Sequence, residues 1–372
     1  MKITKFESIF VKPRWHFLKV YTDEGIVGYG EPIVEGKART VAMAIKEMET
    51  YLIGQDPRRI EHLWQVLYRG SFYRGGPVLT SAISGIEQAL WDIKGKWLGV
   101  PVYELLGGAV RDRIRVYAHV HGDTIEEFVR NAKQRVAEGF TALKTSFEGP
   151  VRLIDTLEYI EKCEERIAAV REALPKNIDI AIDLHGRFSP AMAIKIAKVL
   201  EPYGIMFLEE PCLPENVDTM VTVARSTSIP IATGERLFTR WGFREVLEKQ
   251  AAAVLQPDIC HCGGILEAKK IAAMAEVYYA AVAPHNPLGP ISLAAGLQVD
   301  ACIPNFLCQE QVCLGEGYIK EPFKLRDGYI ELPTKPGLGI ELDEEALEDK
   351  LYDGSWPSPV WFHQDDGSFA EW

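Results

Sequence analysis

A repeat of short apolar runs, each ending in a polar residue that can take part in chemistry, constrains the fold of this chain most strongly. Six such runs follow one another at intervals of 26, 26, 23, 27 and 25 residues. The residues that end the runs are five carboxylates and one imidazole: Asp183, Glu209, Glu235, Asp258, His285 and Glu310. Helical stretches separate the runs. This alternation is typical of repeated βα units, which build a parallel sheet.

The length of the repeat favours a closed barrel. Units of roughly 25 residues are what a (β/α)8-type barrel of ordinary size requires. Two earlier β-favouring runs, at 114–118 and 142–144, complete a plausible set of eight. We therefore expect an α/β barrel over residues 113–312. Its polar run ends should meet at the carboxyl mouth, where barrel enzymes carry their active sites.

The first hundred residues follow a different pattern. Two β-favouring runs, 18–22 and 26–29, flank Gly25, which can take the positive φ angle of a tight hairpin. Apolar residues then recur at steps of three and four over 80–93, which predicts an amphipathic helix. The stop signal for this helix lies near Gly99.

These patterns predict three parts. Residues 1–112 should form a small α+β domain ahead of the barrel. Residues 313–372 contain proline, glycine and acidic residues with little periodicity. We expect this last segment to pack back on the first domain.

Composition excludes several classes of protein. The chain is 47% hydrophobic, and 41 basic against 53 acidic residues give a formal charge of −12, which argues against a nucleic-acid partner. No apolar run approaches the roughly 20 residues of a membrane helix, and charge interrupts the first residues where a secretory signal would be apolar. Seven scattered cysteines suit reduced thiols better than a disulfide framework. We expect a soluble, cytoplasmic protein.

Three of the run-end carboxylates predict a metal site. One carboxylate after a strand is usually a helix N-cap, but six polar run ends in consecutive units are hard to explain in that way. Like charges gathered in one mouth repel unless a cation neutralises them. All-oxygen ligation by Asp183, Glu209 and Glu235 suits a hard ion such as Mg²⁺.

The next two run ends indicate a general base. Asp258 and His285 end adjacent units, so their side chains should meet at the mouth. A carboxylate that accepts one imidazole N–H raises the basicity of the other nitrogen. A second imidazole, His185, follows Asp183 by two residues, and by itself it is as consistent with an ordinary loop residue as with a proton donor.

A different metal chemistry is also open. His119-Val120-His121 follows the first barrel run, as a zinc-binding pair does in amidohydrolases. Those enzymes also need imidazoles after later strands, where this chain has Glu235 and Asp258. His261 lies between Cys260 and Cys262, but three adjacent residues cannot all turn to one tetrahedral ion.

Several motifs resemble those of the mandelate racemase group of the enolase superfamily. They are Leu208-Glu209-Glu210-Pro211, Gly234-Glu235-Arg236, Gln256-Pro257-Asp258, Gly263-Gly264 and Pro284-His285. Within that group the galactonate dehydratase family is the most similar, along nearly the whole chain. Its motifs here are Pro13-Arg14-Trp15, Phe72-Tyr73-Arg74-Gly75-Gly76-Pro77, Asp183-Leu184-His185-Gly186-Arg187, Pro287-Leu288-Gly289-Pro290 and Ala370-Glu371-Trp372.

The resemblance implies a modified barrel of (β/α)7β form under a capping domain, and a symmetric homo-oligomer. It implies Mg²⁺ on the three carboxylates, His285 paired with Asp258 as base, His185 as acid, and Glu310 near the substrate carboxylate. Four capping-domain residues become candidates for contacts with sugar hydroxyls: Arg14, Trp15, Tyr73 and Arg74. Without the resemblance, each of the four is equally consistent with ordinary surface.

One departure from the family pattern matters. Many members have two lysines, spaced by one residue, at the end of the second barrel strand, and the second is a base for the opposite stereochemistry. Here the position reads Lys144-Thr145-Ser146, so only Lys144 is present. A two-base racemase is therefore disfavoured. Lys144 can add positive charge at the substrate carboxylate.

The resemblance favours a carbon–oxygen lyase, a hydro-lyase that dehydrates a sugar acid to a 2-keto-3-deoxy acid. The main alternative is another reaction of the same superfamily on a sugar acid, a cycloisomerisation or an epimerisation. Whether His185 reaches C3 of the substrate discriminates between them. More distant alternatives are a zinc amidohydrolase and a non-catalytic sugar-acid binder.

Overall fold

An antiparallel sheet and a set of helices form the N-terminal part of the computed structural model, which describes residues 1–147 and 149–372. The strands are β1 (Ile3–Val11), β2 (Trp15–Thr22) and β3 (Val27–Gly30), and the helices are α1 (Ala38–Leu52), α2 (Ile60–Arg69), α3 (Pro77–Leu98) and α4 (Val102–Leu105). In the β2–β3 hairpin, Tyr21 pairs with Val27, and Gly25 has a φ of +79°. The predicted hairpin is confirmed.

Helix α3 is the central helix of the capping domain. Proline stands in its first turn, where a missing N–H costs nothing, and the left-handed Gly99 ends it. The helix predicted over 80–93 is confirmed and extends further at both ends. Most of its central residues are buried, because it packs against β3 on one side and α1 on another.

The barrel alternates short strands with helices. Strand β4 (Arg113–Arg115) precedes the barrel and belongs to another sheet. The barrel strands are β5 (Ala118–His119), β6 (Ala142–Ser146), β7 (Asp179–Asp183), β8 (Phe207–Glu209), β9 (Ile231–Thr233), β10 (Val254–Leu255) and β11 (Ala281–Val282). The helices are α5 (Ile125–Ala137), α6 (Leu157–Ala173), α7 (Pro190–Leu200), α8 (Val217–Ala224), α9 (Thr239–Glu248), α10 (Ile265–Val277) and α11 (Pro290–Cys302). In the part of the chain that the structure describes, no helix is both long and apolar enough to cross a membrane.

Strands β5 to β11 form one parallel curled sheet in sequence order. An extended segment closes it: Phe306 bridges Val282 of β11, and Gln309 bridges Val116 beside β5, both in parallel. The predicted barrel is therefore confirmed in its (β/α)7β form. Its interior holds one buried residue from each of the eight positions around it: Tyr117, Ala142, Ala181, Phe207, Ala232, Val254, Ala283 and Cys308.

The first barrel run differs from the expectation. Residues 114–118 were expected to form one strand, but only Ala118 from this run pairs with β6. The preceding Arg113–Arg115 pairs with a strand of the C-terminal segment instead. The backbone between them turns from one sheet to the other, so a single β-favouring run serves two sheets.

The C-terminal segment contains β12 (Leu325–Arg326), β13 (Tyr329–Glu331), α12 (Glu344–Glu348), β14 (Trp361–Phe362) and β15 (Phe369–Ala370). It contacts the capping domain at several points. Leu351 bridges Val11, and the buried Asp92 of α3 accepts hydrogen bonds from the N–H groups of Leu338 and Tyr29. The domain boundaries at 112 and 312 stay predictions.

Buried carboxylates attach the capping domain to the barrel at the strand carboxyl ends. Glu87 of α3 accepts the N–H groups of Ile265 and Leu266 at the start of α10. Glu31 accepts those of Gly289 and Ser292 at the start of α11. Helix N-termini have free N–H groups and favour anions, which compensates for the burial of these carboxylates. Burial still raises the pKa of both to about 8. The capping domain therefore lies on the mouth side of the barrel.

Glycines allow the backbone of β3 to come into direct contact with the backbone of α3. A Cβ on Gly30 would overlap the carbonyl oxygen of Gly85 in α3, and neither backbone has a flexible side chain to move. We expect Gly30→Ala to lower the free energy of unfolding by about 2 kcal/mol or more, as overpacking does. Urea denaturation followed by circular dichroism measures the effect.

A matched control is Gly242→Ala in α9. Its nearest neighbour would be the Leu237 Cβ at 3.7 Å, an ordinary contact, and alanine is the better helix former. We expect this variant to be as stable as the wild type or slightly more so. Equal losses in the two variants would contradict the close-approach argument.

Candidate active site

The three carboxylates predicted to bind a metal converge at the mouth. In the parallel ladder Asp183 of β7 is paired with Glu209 of β8, and Glu235 lies two residues beyond β9. One carboxylate oxygen from each of the three residues lies within 4.8 Å of the others. The structure thus brings together residues that are 26 positions apart in sequence.

The donor set suits a hard divalent cation. All three ligand groups are carboxylates, and hard ions such as Mg²⁺ prefer oxygen. The Oε2 atom of Glu209 is buried and has no hydrogen-bond partner within the described residues. A buried acceptor without a donor is costly, so a cation would satisfy an atom that the protein leaves unsatisfied.

Lys144 bridges this cluster to the last run end. Its side chain is only 3% exposed, and its Nζ lies 3.0 Å from Asp183 Oδ2, 2.7 Å from Glu209 Oε1 and 3.2 Å from Glu310 Oε1. Burial alone would lower the pKa of Lys144, but the carboxylates raise it well above its ordinary value. The carboxylates therefore favour the charged ammonium form of Lys144 at the mouth.

The pKa values of the three carboxylates diverge. Burial raises the pKa of Glu209 well above its ordinary value, and the nearby Asp183 charge adds to the shift. Burial acts in the same direction on Asp183, but the His185 and Lys144 charges outweigh it and hold that pKa well below its usual range. Glu235 is half-buried, and the His285 charge and hydrogen bond lower its pKa to about 2. Crowded like charges produce such a spread.

Asp258 and His285 form a hydrogen-bonded pair. The Nδ1 atom of His285 lies 2.8 Å from Asp258 Oδ2, and the Cys260 N–H donates to Asp258 Oδ1 at 2.7 Å. The second ring nitrogen of His285 faces Glu235 at 3.0 Å. Burial would lower the pKa of His285, but the Glu235 and Glu310 charges and the Asp258 hydrogen bond raise it well above its ordinary value. This geometry is that of an imidazole oriented by a carboxylate.

His185 is held from several sides. The backbone N–H of His185 donates to Asp183 Oδ1 at 2.9 Å, and the ring atom Nε2 lies 3.2 Å from Asp183 Oδ2. Its backbone has a φ of +51°, a strained value for a residue other than glycine, and its carbonyl accepts a hydrogen bond from Arg236. The ring of Trp372 is stacked near the His185 ring, with centroids 6.3 Å apart. The surroundings therefore restrict both backbone and ring.

The two imidazoles lie on opposite sides of the mouth. His185 follows β7 and His285 follows β11, and these strands are four places apart in the sheet order. In a barrel of eight positions, a separation of four is diametric. Between the two rings lie the carboxylates of Asp183 and Glu235, which each contact one ring.

Glu310 is surrounded by donors. Its Oε1 lies 2.7 Å from His119 Nε2, in addition to its contact with Lys144. Its Oε2 accepts the backbone N–H of Asn286 at 2.8 Å. His119 was considered above as half of a zinc pair, but in the structure its Nε2 is directed at a carboxylate.

Arg14 and Trp15, two of the predicted substrate-binding residues, lie near the loop that follows His285. Arg14 forms an ion pair with Glu35 at 2.6 Å and donates to the Pro287 carbonyl at 3.3 Å. Trp15 is buried, and its indole N–H has no hydrogen-bond partner within the described residues. Both residues are therefore close to the chain segment that carries the proposed base.

Tyr73 and Arg74 lie in a different place. Tyr73 is 82% exposed, and both residues line a cavity of about 420 Å³ between the capping-domain helices. The residues that line this cavity all lie between Ala44 and Ile83 in the sequence, and none of them is one of the residues at the ends of the barrel strands. The structure does not bring these two predicted residues together with the carboxylate cluster.

Sequence reasoning missed several contacts. Arg236 pairs with the buried Glu210 as well as with the His185 carbonyl. Asn286 donates its backbone N–H to Glu310 Oε2 and its side-chain amide to the Glu310 carbonyl. Arg236 directly follows Glu235, so its place in the motif was a usable signal. The contact between His119 and Glu310 had no local signal, because the two residues are separated by nearly the whole barrel.

Comparison with known proteins agrees with this architecture. Residues 9–107 match the family model "Mandelate racemase / muconate lactonizing enzyme, N-terminal domain", and residues 127–346 match "Enolase C-terminal domain-like". D-galactonate dehydratases of Ralstonia nicotianae and Cronobacter sakazakii are 49% and 48% identical to the chain, each over the full length of both proteins.

Solved structures are similar over almost the whole chain. A member of the enolase superfamily from Salmonella Typhimurium is 36% identical, with a TM-score of 0.87, and covers 93% of this chain and 97% of its own. A mandelate racemase/muconate lactonizing enzyme from Sulfitobacter has a TM-score of 0.89 at 36% identity, over 96% of this chain and 99% of its own. The chain therefore belongs to the mandelate racemase and muconate lactonizing enzyme family of the enolase superfamily.

Proposed function

We propose that this protein is a Mg²⁺-dependent sugar-acid dehydratase that converts an aldonate to a 2-keto-3-deoxy acid, with galactonate as the first candidate substrate. The observation that carries the proposal is the placement of a carboxylate-oriented imidazole and a second imidazole on opposite sides of a three-carboxylate cluster. Full-length relatives named D-galactonate dehydratase, 48–49% identical, support the choice of substrate. Membership of the enolase superfamily removes the zinc amidohydrolase alternative.

The metal would be held by Asp183, Glu209 and Glu235. When bound, Mg²⁺ would act as a Lewis acid that stabilises negative charge on the substrate carboxylate. Lys144, which contacts two of these three residues, adds a fixed positive charge beside them. A hydrogen next to a carboxylate is a very weak acid, so this positive charge is needed before any base can remove it.

The two imidazoles would then carry the protons. With Glu235 holding Mg²⁺, the largest of the charges that raise the pKa of His285 would be offset. Neutral His285, with Nδ1–H donated to Asp258, then takes the C2 proton on Nε2. The electron pair of the broken C2–H bond is first delocalised into the substrate carboxylate as an enediolate. It then forms the C2–C3 double bond when the C3–O bond breaks. His185 gives a proton to the leaving 3-hydroxyl, which departs as water, and the resulting enol tautomerises to the 2-keto-3-deoxy acid. Acid and base on opposite sides of the mouth predict an anti elimination.

The single lysine limits the stereochemistry. A second base would be expected at position 146, but serine stands there, opposite Asp183 in the β6–β7 ladder. His285 is then the base for one face of C2 only. We expect acids of R configuration at C2 to react and a two-base racemisation to be absent.

A stereochemically complete library of aldonates and aldarates tests the proposal. We expect 2-keto acid to form from a 2R aldonate when Mg²⁺ is present, to stop after chelation with EDTA, and to return when Mg²⁺ is restored. Semicarbazide detection of the keto acid measures the reaction. Full turnover by the metal-free enzyme would contradict the metal assignment, and reaction of 2S acids alone would contradict the base assignment.

The main alternative, an epimerisation or cycloisomerisation of a sugar acid, would give a different result in the same library. An epimerase or cycloisomerase would exchange or rearrange its substrate without releasing water from C3. NMR of the recovered substrate in D₂O would show deuterium at C2 with no 2-keto-3-deoxy product from any acid in the library. That result would replace dehydration with proton transfer alone.

A further inference from the structure

We propose that His119 is a positioning residue that holds Glu310 and screens its charge at the place where the substrate carboxylate binds. The inference rests on the proposed function, because it assigns Glu310 to the carboxylate end of the substrate. It also corrects the reading of His119 as a zinc ligand.

The carboxylate of Glu310 is held at both oxygens. Its side chain is only 1% exposed. Oε2 accepts the Asn286 N–H at 2.8 Å, and Oε1 lies 2.7 Å from His119 Nε2 and 3.2 Å from Lys144 Nζ. Three donors around one carboxylate favour its ionised form and restrict its orientation. Of the two groups that contact Oε1, His119 lies closer than Lys144.

The register explains why His119 and Lys144 reach the same oxygen. His119 of β5 and Lys144 of β6 are directly paired in the parallel ladder. On the other side of β5, Val116 bridges Gln309, which immediately precedes Glu310. The closure of the barrel therefore places the Glu310 side chain beside the end of β5. This contact is a consequence of the fold rather than of a flexible loop.

Lys144 alone cannot balance the charge. Its one ammonium group faces Asp183 and Glu209 as well as Glu310. Without His119, Glu310 would keep the Lys144 and Asn286 contacts but lose its shortest contact at Oε1, and its charge would repel an anionic substrate more strongly in a site of low effective dielectric. A hydrogen bond from His119 offsets part of that charge and fixes the orientation of the carboxylate. The His119 side chain is 26% exposed, so it lies at the edge of the mouth rather than in the core.

The kinetic test compares two substitutions in the Mg²⁺-loaded enzyme. His119→Ala removes the donor, whereas His119→Gln can place an amide N–H close to the position of Nε2. We expect the alanine variant to raise KM for the aldonate about tenfold or more, as loss of a hydrogen bond to a charged group does, with a much smaller change in kcat. The glutamine variant should restore most of the KM. A loss in kcat alone, or no rescue by glutamine, would overturn the proposal.

A double-mutant cycle tests whether His119 acts through Glu310. In a Glu310→Gln background we expect His119→Ala to have little further effect on KM, because the charge to be screened is gone. Effects that multiply in full would show that His119 acts independently of Glu310 and would overturn the proposal. His121→Gln, an exposed histidine of the same loop, is the matched control, and a loss equal to that of His119→Ala would assign the effect to the loop instead.

A measurement without substrate separates this inference from the proposed function. In protein labelled with ¹⁵N-histidine, the His119 resonance is identified by its absence in His119→Gln. We expect the Nε2 signal of His119 to shift in Glu310→Gln. If the wild type dehydrates no sugar acid but the signal shifts, the function fails and the contact stands. If the enzyme is active and the signal does not shift, the positioning role is wrong.

Discussion

Replacing His285 with asparagine is expected to abolish dehydration and also the exchange of the C2 hydrogen with solvent. Both reactions begin with removal of the C2 proton, and His285 is the imidazole that Asp258 orients at 2.8 Å. Loss of a general base costs about 10²–10⁴-fold, which would bring both rates to the limit of detection. Keto-acid assays measure the first rate, and NMR of the recovered substrate in D₂O measures the second.

His261 supplies the matched control for this prediction. Its Nε2 lies 3.7 Å from the same Asp258 oxygen, beyond hydrogen-bond distance, and its Nδ1 contacts Ser81 at 3.0 Å. Because its ring is not part of the proposed proton transfer, His261→Asn should retain both dehydration and exchange. If C2 exchange persists in His285→Asn at the wild-type rate, another group removes the proton and the assignment of the base is wrong.

Replacing His185 with asparagine is expected to separate the two reactions. Departure of the 3-hydroxyl needs an acid, so dehydration should fall by about 10²–10⁴-fold. Proton removal at C2 does not need His185, so exchange should remain detectable if the carbanionic state lives long enough to be reprotonated. The same D₂O experiment reports both rates in one sample.

The outcome that would reverse these roles is specific. Exchange that survives the loss of His285 but disappears with the loss of His185 would show that acid and base are interchanged. Because His185 also contacts Asp183, Mg²⁺ affinity should be measured in the same variant. A large loss of affinity would mean that the fall in dehydration reflects the metal site rather than a missing acid.

Much of the barrel could be predicted from local sequence. A run such as 178–182 is short, β-branched and followed by a carboxylate, and its strand in the structure ends at Asp183. Strand formation and the identity of the next residue are both local properties. The single geometric rule that carboxyl ends of parallel strands meet at one face then suffices to bring Asp183, Glu209 and Glu235 together.

The places where prediction failed depend on distant partners. The run 114–118 is divided because Ile114 pairs with Ile330 in β13 while Ala118 pairs with Leu143 in β6. Both pairings suit a β-favouring residue, so local pattern cannot choose between them. Tyr73 and Arg74 line a cavity within the capping domain in this structure, and their predicted contact with the substrate stays a prediction. A motif identifies residues, but loop conformation decides where their side chains lie.

Residue type and spacing are enough to predict which residues stand at the strand ends and that these residues are mostly anionic. The donor that each carboxylate receives depends on the folded arrangement of the barrel. His119 meets Glu310 because the segment carrying Phe306 and Gln309 closes the barrel between β11 and β5. That closure joins residues far apart in the chain, and the hydrogen bonds of a site depend on ångström-scale distances that no local pattern encodes.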